Sequence, residues 1–420
     1  MKKWFYGWWV LASLFILMMV SIGVMVNCFS LFYTPIIASQ HFTYGDFSFT
    51  SSIAALLAMA GCLIVAVLIK KIDIRLMISA SIVIYAASIY FFSLANTLAE
   101  FYIISVFTGL GYAGIGGVAV SQIVTNWFKD RQGLAMAAVM AGSGVGGVIF
   151  GPLINSLILT YGWRETFVII AIIIAVVSLP VAIFVIRLKP GDKGLVPYES
   201  AHKKAGALLT PADVYEGISF RQAVKKASFW GLCISNLIAG MLLMAVQMHA
   251  PTFIQTVNPQ NTALTSTLAS YTIAISGFVL IPGKLALGFI NDRFGTKTST
   301  LYIFIAYIFT LVSLILLRST AFAYVFAVMF GLSGAITTVA LPLWAVNAFG
   351  HKDYATIFAI MSVFMTVGAA AGPPLAGFIF DAAGSYIPAW IALIVIAAAG
   401  LAVTLVSLSS AEKAKHMTAL

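Results

Sequence analysis

Apolar residues run through this chain in twelve blocks, at 5–38, 45–69, 74–96, 99–126, 131–159, 163–187, 228–257, 264–291, 297–317, 320–348, 353–380 and 386–409. Each reaches the roughly 20 residues that a helix needs to cross a hydrocarbon core. Several run longer, which implies tilt or kinks. Pro35, Pro180, Pro251, Pro282 and Pro342 mark the expected kink sites. The one long polar stretch, 188–227, carries Pro190, Pro197, Pro211, Gly191, Gly194 and Gly206, and reads as an irregular linker. Near its end, Ser219 to Gln222 fits a capping box, and Ala223 to Phe229 is expected as a short basic helix on the membrane surface. The first block starts without a small-residue cleavage site and reads as a retained helix.

The blocks fall into two sets of six related by an internal repeat. Asn126, Phe128, Gly147, Gly151 and Pro152 recur, all at one constant offset, as Asn347, Phe349, Gly368, Gly372 and Pro373. The expected organisation is a six-helix bundle at 1–189, a cytoplasmic linker at 190–227, a second bundle at 228–410 and a tail at 411–420. Two six-helix halves joined by a basic linker make a transporter architecture, with the substrate site expected near the midplane.

Composition agrees with a polytopic helical membrane protein: 61% hydrophobic residues and 9% charged, with mean hydropathy +1.04. The net charge of +10 does not point to nucleic acid. All the Lys and Arg residues except Arg164, Lys284 and Arg318 fall at block ends or gaps on one side, which places both termini in the cytoplasm. Cys28, Cys62 and Cys233 sit in apolar blocks, so neither a disulfide framework nor a metal spacing is present. The glycines at 142, 144, 146, 147 and 151 lie inside a span with no strand before them, which argues for close helix packing and against a nucleotide fold. No nucleophile triad, phosphate loop or cofactor motif is evident, so an enzyme is not expected.

One charge breaks the pattern. Lys284 lies eight residues before Asp292, or roughly 12 Å along a helix, close to half the hydrocarbon thickness of about 15 Å. Every Asp and Glu falls at a loop or helix end. An unpaired ammonium at that depth is costly, and an anionic ligand that comes and goes would neutralise it. Alternatively, backbone carbonyls in a water-filled cleft satisfy it. His249, the one histidine inside a span, is the repeat counterpart of Asn27, as Lys284 is of Cys62. His249 reads as a ligand or proton site, or as a histidine hydrogen-bonded between helices. Asn27 and Gln122 are candidate donors to a carboxylate, or interhelical bonds. Tyr33, Tyr112 and Trp344 are candidates to shape a pocket, with packing as the ordinary alternative.

Gly288 to Lys297, read as Gly-Phe-Ile-Asn-Asp-Arg-Phe-Gly-Thr-Lys, resembles the loop signature of the major facilitator superfamily, with one of the two closing basic positions kept. Within that superfamily the chain resembles the monocarboxylate transporter and oxalate–formate antiporter group. The resembling stretches are Tyr6 to Val10, Asn126 to Ala135, and Phe349-Gly350 with Gly372-Pro373-Pro374. The resemblance implies an all-α membrane protein with twelve transmembrane helices in two pseudo-symmetric six-helix bundles, working by rocking of the two halves. It implies that Lys284 takes the place of the group's carboxylate-binding arginine. It gives Asp292, Arg293, Gly288 and Gly295 a gating role, with the Asp292 carboxylate capping the start of the eleventh helix near Asp353 and Tyr354. Leu280 and Met361 stand where relatives carry a proton-relay acid and a second cation.

The function expected from these residues is secondary active transport of a small organic anion, most simply a monocarboxylate, by alternating access with proton symport. Obligate anion exchange is the alternative, and efflux of amphipathic compounds a weaker one, because no acidic residue is available for a cationic drug. A sensor or scaffold that binds anions without moving them is a further class, separable by flux. A monomer in the cell membrane, with the lipid bilayer and a proton or counter-anion as partners and no metal, completes the expectation.

Overall fold

A computed structural model describes residues 5–69, 71–128, 132–198, 217–256, 262–317, 319–350 and 352–418. Lys70, the Lys129–Arg131 part of the loop motif, Arg318 and most of the linker lie outside the described residues. Among the described residues the chain is helical over most of each apolar block. Eleven helical stretches are long and apolar enough to cross a membrane. The longest, Leu264–Ile315, is two spans joined at Gly295, whose φ of +83° and ψ of 168° end one helix and start the next. Only glycine takes that conformation at low cost. Among the described residues the crossings therefore number twelve.

The spans are Gly7–Gln40, Tyr44–Leu68, Ile74–Phe92, Leu98–Trp127, Gln132–Tyr161 and Trp163–Val185, then Ala227–Thr256, the two on either side of Gly295, Thr320–Phe349, Tyr354–Ala383 and Ile387–Lys413. Side chains in the short turns set where helices start. Thr43 accepts from the Asp46 amide, Asp73 from the Arg75 amide, and Thr97 with Glu100 forms a full capping box.

The chain separates into two compact units. One is Met1–Gly206 with Gln255–Gly277, the other Ala207–Ile254 with Phe278–Leu420. In the first, span 1 lies against span 5. A Cβ on Gly142 would meet the Phe15 carbonyl oxygen, and one on Gly146 that of Met19. The segment Gln255–Gly277 packs into the same unit: a Cβ on Gly277 would stand 2.7 Å from the Gly144 carbonyl oxygen, and Thr34 donates to Gln255 at 2.6 Å. In the second unit, span 7 meets span 11 in the same way, Gly368 against the Leu237 carbonyl and Gly372 against that of Met241.

The packing refines the repeat. Phe15 and Met19 of span 1 correspond to Leu237 and Met241 of span 7 at nearly the offset of the sequence repeat. Their glycine partners do not: Gly142 and Gly146 stand more than a turn before Gly147 and Gly151, the residues that match Gly368 and Gly372 in sequence. Gly147 and Gly151 instead face Ile273 and Ser270 of span 8. Aligned glycines therefore serve different neighbours in the two units.

The linker is fastened at both ends. The Tyr198 amide donates to the Trp127 carbonyl at 2.8 Å beside a backbone bridge to Phe128. The Ile218 amide donates to the Phe349 carbonyl at 3.0 Å beside a bridge between Gly217 and Gly350. The capping box at Ser219 and Gln222 forms as expected, but its helix is only Phe220–Ala223, and span 7 begins at Ala227. The expected surface helix from Ala223 to Phe229 is thus interrupted at 224–226, while the Asp353 carboxylate accepts from the Phe220 amide at 2.7 Å.

Candidate functional site

Among the described residues, regular α-helix is interrupted in the middle of three spans, and none of these interruptions is at a proline. Span 1 opens at Val26–Cys28 between Gly7–Met25 and the 3-10 turn Phe29–Phe32. Span 4 opens at Gly116, with φ −84° and ψ −165°. Span 10 leaves the α-helix at Ser333, forms a 3-10 turn over Gly334–Ile336 and resumes at Ala340. Gly116 and Thr337 are related by the same offset as the repeat, so the breaks in spans 4 and 10 follow it. In the membrane, irregular backbone is tolerated where protein or a polar cavity satisfies it, and discontinuous helices are where carriers build ion and substrate sites.

Lys284 lies beside the span 10 break. A Cβ on its neighbour Gly283 would stand 3.0 Å from the Gly331 carbonyl oxygen and from the Leu332 Cα. One turn earlier, a Cβ on Gly334 would stand 2.8 Å from Leu280 Cδ1. The Thr338 and Val339 amides both reach back to the Ala335 carbonyl, at 3.3 and 2.9 Å. Lys284 is half-buried and makes no ion pair or hydrogen bond among the described residues. Among the described residues, carboxylates of this unit lie at helix ends: Asp353 holds the Phe220 amide and Glu412 pairs with Lys297 at 2.6 Å. Chemically, this is a cation without a counterion, set against a stretch of backbone that has left its helix.

His249 is fully buried. Its Nε2 lies 2.8 Å from the Pro373 carbonyl oxygen, and its Nδ1 lies 2.9 Å from the Tyr386 hydroxyl. A carbonyl only accepts, so Nε2 carries the hydrogen and Nδ1 accepts from Tyr386. Both ring nitrogens of a neutral imidazole are thereby used to tie span 7 to span 11 and the start of span 12. Asn27 plays a parallel part in the first unit, donating from Nδ2 to the Ser143 carbonyl of span 5 at 2.8 Å. The repeat-related polar residues of spans 1 and 7 thus each bond backbone of the fifth helix of their half.

The aromatic candidates sit inside the packing. Tyr33 is fully buried, with its hydroxyl 2.9 Å from Ser51 Oγ. Trp344 is 1% exposed, donates to Thr300 Oγ1 at 2.8 Å and stacks on Phe304. Both geometries are those of packed side chains, not open pocket walls. Gln122 is exposed below the span 4 break, and Tyr112 is half-buried beside it.

Among the gating residues, Gly295 makes the turn described above, and Gly288 has open space where a Cβ would stand. Arg293 lies over the rings of Phe289 and Phe294 at 6.0 and 5.7 Å. Asp292 is exposed, and its side chain meets Asn291 Nδ2 at 3.4 Å. The expected cap on span 11 does not form in this structure. Asp353 occupies that N-cap position, and no side-chain cap bond is made there. No group of three or more metal-binding side chains occurs among the described residues.

Sequence reasoning did not anticipate the span 10 break or Tyr386. The available signal for the break was Gly334, a weak helix former, in mid-span.

Comparison with known proteins agrees with this architecture. The Major Facilitator Superfamily model matches residues 10–347 and 260–417, and the chain belongs to that superfamily. Among curated relatives, human monocarboxylate transporter 12 is 24% identical over 415 residues, covering 92% of this chain and 77% of that protein. An uncharacterised transporter of the superfamily from Bacillus subtilis is 22% identical, with 97% of each chain covered. A bacterial homologue of the human lysosomal transporter Spinster, solved inward-facing and unoccupied, superposes with a TM-score of 0.72 at 17% identity, covering 98% of each chain. The protein is therefore a multi-pass membrane transporter and not an enzyme.

Proposed function

We propose that this carrier moves a small organic anion, most simply a monocarboxylate, with Lys284 as the carboxylate anchor. The observation that carries the reading is the uncompensated ammonium of Lys284 beside the broken backbone of span 10. A desolvated cation without a partner is expensive, and an incoming carboxylate removes the cost. Similarity to a monocarboxylate transporter over most of the chain supports the substrate class. Asn27 and Gln122 are proposed as further polar contacts, whereas the two bonds of His249 favour a role in holding helices together. Asp292, Arg293, Gly288 and Gly295 are proposed to govern the exchange of states. Both termini are proposed to face the cytoplasm of a cell membrane, with the monomer as the working unit.

The coupling follows from the same charge. An empty carrier returning with Lys284 charged and dry crosses a barrier raised by several kcal/mol. Returning with another anion is obligate exchange. Releasing the lysine proton first lets one anion and one proton cross together, and a lysine gives up its proton more readily than an arginine. We favour symport. The experiment is uptake of a panel of labelled carboxylates into proteoliposomes with and without trapped anion, under imposed pH gradients. Net uptake into empty vesicles driven by inside-alkaline pH supports symport. Strict need for internal anion, indifferent to pH, selects exchange, and absence of flux for every carboxylate rejects the substrate class.

A further inference from the structure

Spans 3 and 4 of the first unit enclose a groove of about 510 Å³, within the range of small-ligand sites. It has no part in the proposed anion path. Small, buried Ser88 and Ala95 form its floor, and Phe91, Ile103 and Phe107, each more than half exposed, form its walls. Its length is informative. Ile84 to Leu94 is roughly 15 Å of helix, or half a hydrocarbon core. The groove therefore runs from the turn at 93–97 to mid-membrane, the span of one leaflet.

A carboxylate lines one end of the groove, and a guanidinium is tied to the adjoining turn. Arg164 of span 6 donates to the Ser93 carbonyl at 2.5 Å and to Asn96 Oδ1 at 2.8 Å, and its fork keeps further N–H donors. On the other side of Asn96, Glu100 Oε2 accepts from the Asn96 amide at 2.7 Å, and Glu100 itself lines the groove. A guanidinium and a carboxylate held on either side of Asn96 at the membrane interface match a phosphate and an ammonium carried by one molecule.

We infer that this groove is a site for a single zwitterionic phospholipid with a primary ammonium head group. One acyl chain lies between Phe91 and Phe107, the phosphate meets Arg164 and the ammonium meets Glu100. A membrane-facing apolar slot would accept any chain, and the paired charges are what select the head group.

The test is native mass spectrometry of the purified full-length protein during stepwise delipidation. The probes are palmitoyl-oleoyl phosphatidylethanolamine and phosphatidylglycerol of the same chains. One phosphatidylethanolamine should outlast the rest, preferred over phosphatidylglycerol by about fivefold, the scale of one interfacial charge. Ala87→Trp, which fills the groove, should abolish retention, while Val176→Trp on the exposed face of span 6 should leave it intact. Glu100→Gln keeps the capping box, since glutamine accepts the same amide bonds, and should erase the preference without loss of fold. Equal retention of the two lipids by the wild type, or unchanged retention in Ala87→Trp, overturns the inference. So does a protein dimer that Ala87→Trp dissociates, which would make the groove an interface between copies.

Discussion

Gly283 of span 8 is pressed against the backbone of span 10 at Gly331, so closely that a methyl group on Gly283 would stand 3.0 Å from that carbonyl oxygen. The contact fixes the height of Lys284, the next residue, against the break that follows. Gly283→Val should therefore cost about 1–3 kcal/mol through overpacking and raise the KM for the transported anion. Gly133→Ala, with open space around it, should stay within about 0.5 kcal/mol of wild type. Thermal unfolding in detergent, paired with counterflow kinetics, checks both. Equal behaviour of the two variants would show that the approach of spans 8 and 10 is not needed.

Lys284→Gln should abolish anion transport while the protein inserts and purifies normally. Lys284→Arg should retain part of the flux, because the charge survives while a single donor becomes a planar fork. Wild-type flux in folded Lys284→Gln, measured in proteoliposomes, would sink the anchor role.

His249→Phe removes the acceptor of the Tyr386 hydroxyl and the donor to Pro373. Leaving such buried groups unpaired costs about 1–3 kcal/mol, so the melting temperature should fall while the pH profile of transport keeps its shape. A shifted pH profile at unchanged stability would instead place His249 on the proton path.

Asp73 caps span 3 at its membrane end, and the Arg75 guanidinium, with the Arg75 amide, holds its carboxyl below the ordinary carboxylate range. A lowered folded value means that the ionised form stabilises. The contribution is complete above the ordinary carboxylate range and disappears as pH falls through the lowered value. The pair is about half exposed, so its charge term is small. Asp73→Ala should cost about 1 kcal/mol, chiefly as a lost cap. Urea unfolding at neutral pH and again near pH 3 measures it, and a larger effect at pH 3 would contradict the assignment.

The spans were legible because hydropathy and length suffice for them, and Lys284 because one charge stands out in an apolar field. The helix breaks were not. Of the expected kink residues, Pro251 and Pro282 sit within continuous helix, Pro35 and Pro342 lie in the first turn after an interruption, and Pro180 is followed by a π-helical turn. Tyr33 and Trp344 looked like pocket walls because a polar handle inside an apolar span invites a ligand. Ser51 and Thr300, distant in sequence, supply their partners instead. Asp292 bonds its neighbour Asn291, because a loop signature names a residue without fixing what stands opposite.

The two ends of the linker hold to repeat-related places, Tyr198 beside Phe128 and Ile218 against Phe349, the counterpart of Phe128 in the second half. Each half thus holds one end of the linker by main-chain bonds that do not depend on side-chain identity. A cut at 207 should leave two fragments that each keep their own clasp. Co-expressed as separate polypeptides, they should reassemble into a working carrier, which would make the halves interchangeable parts.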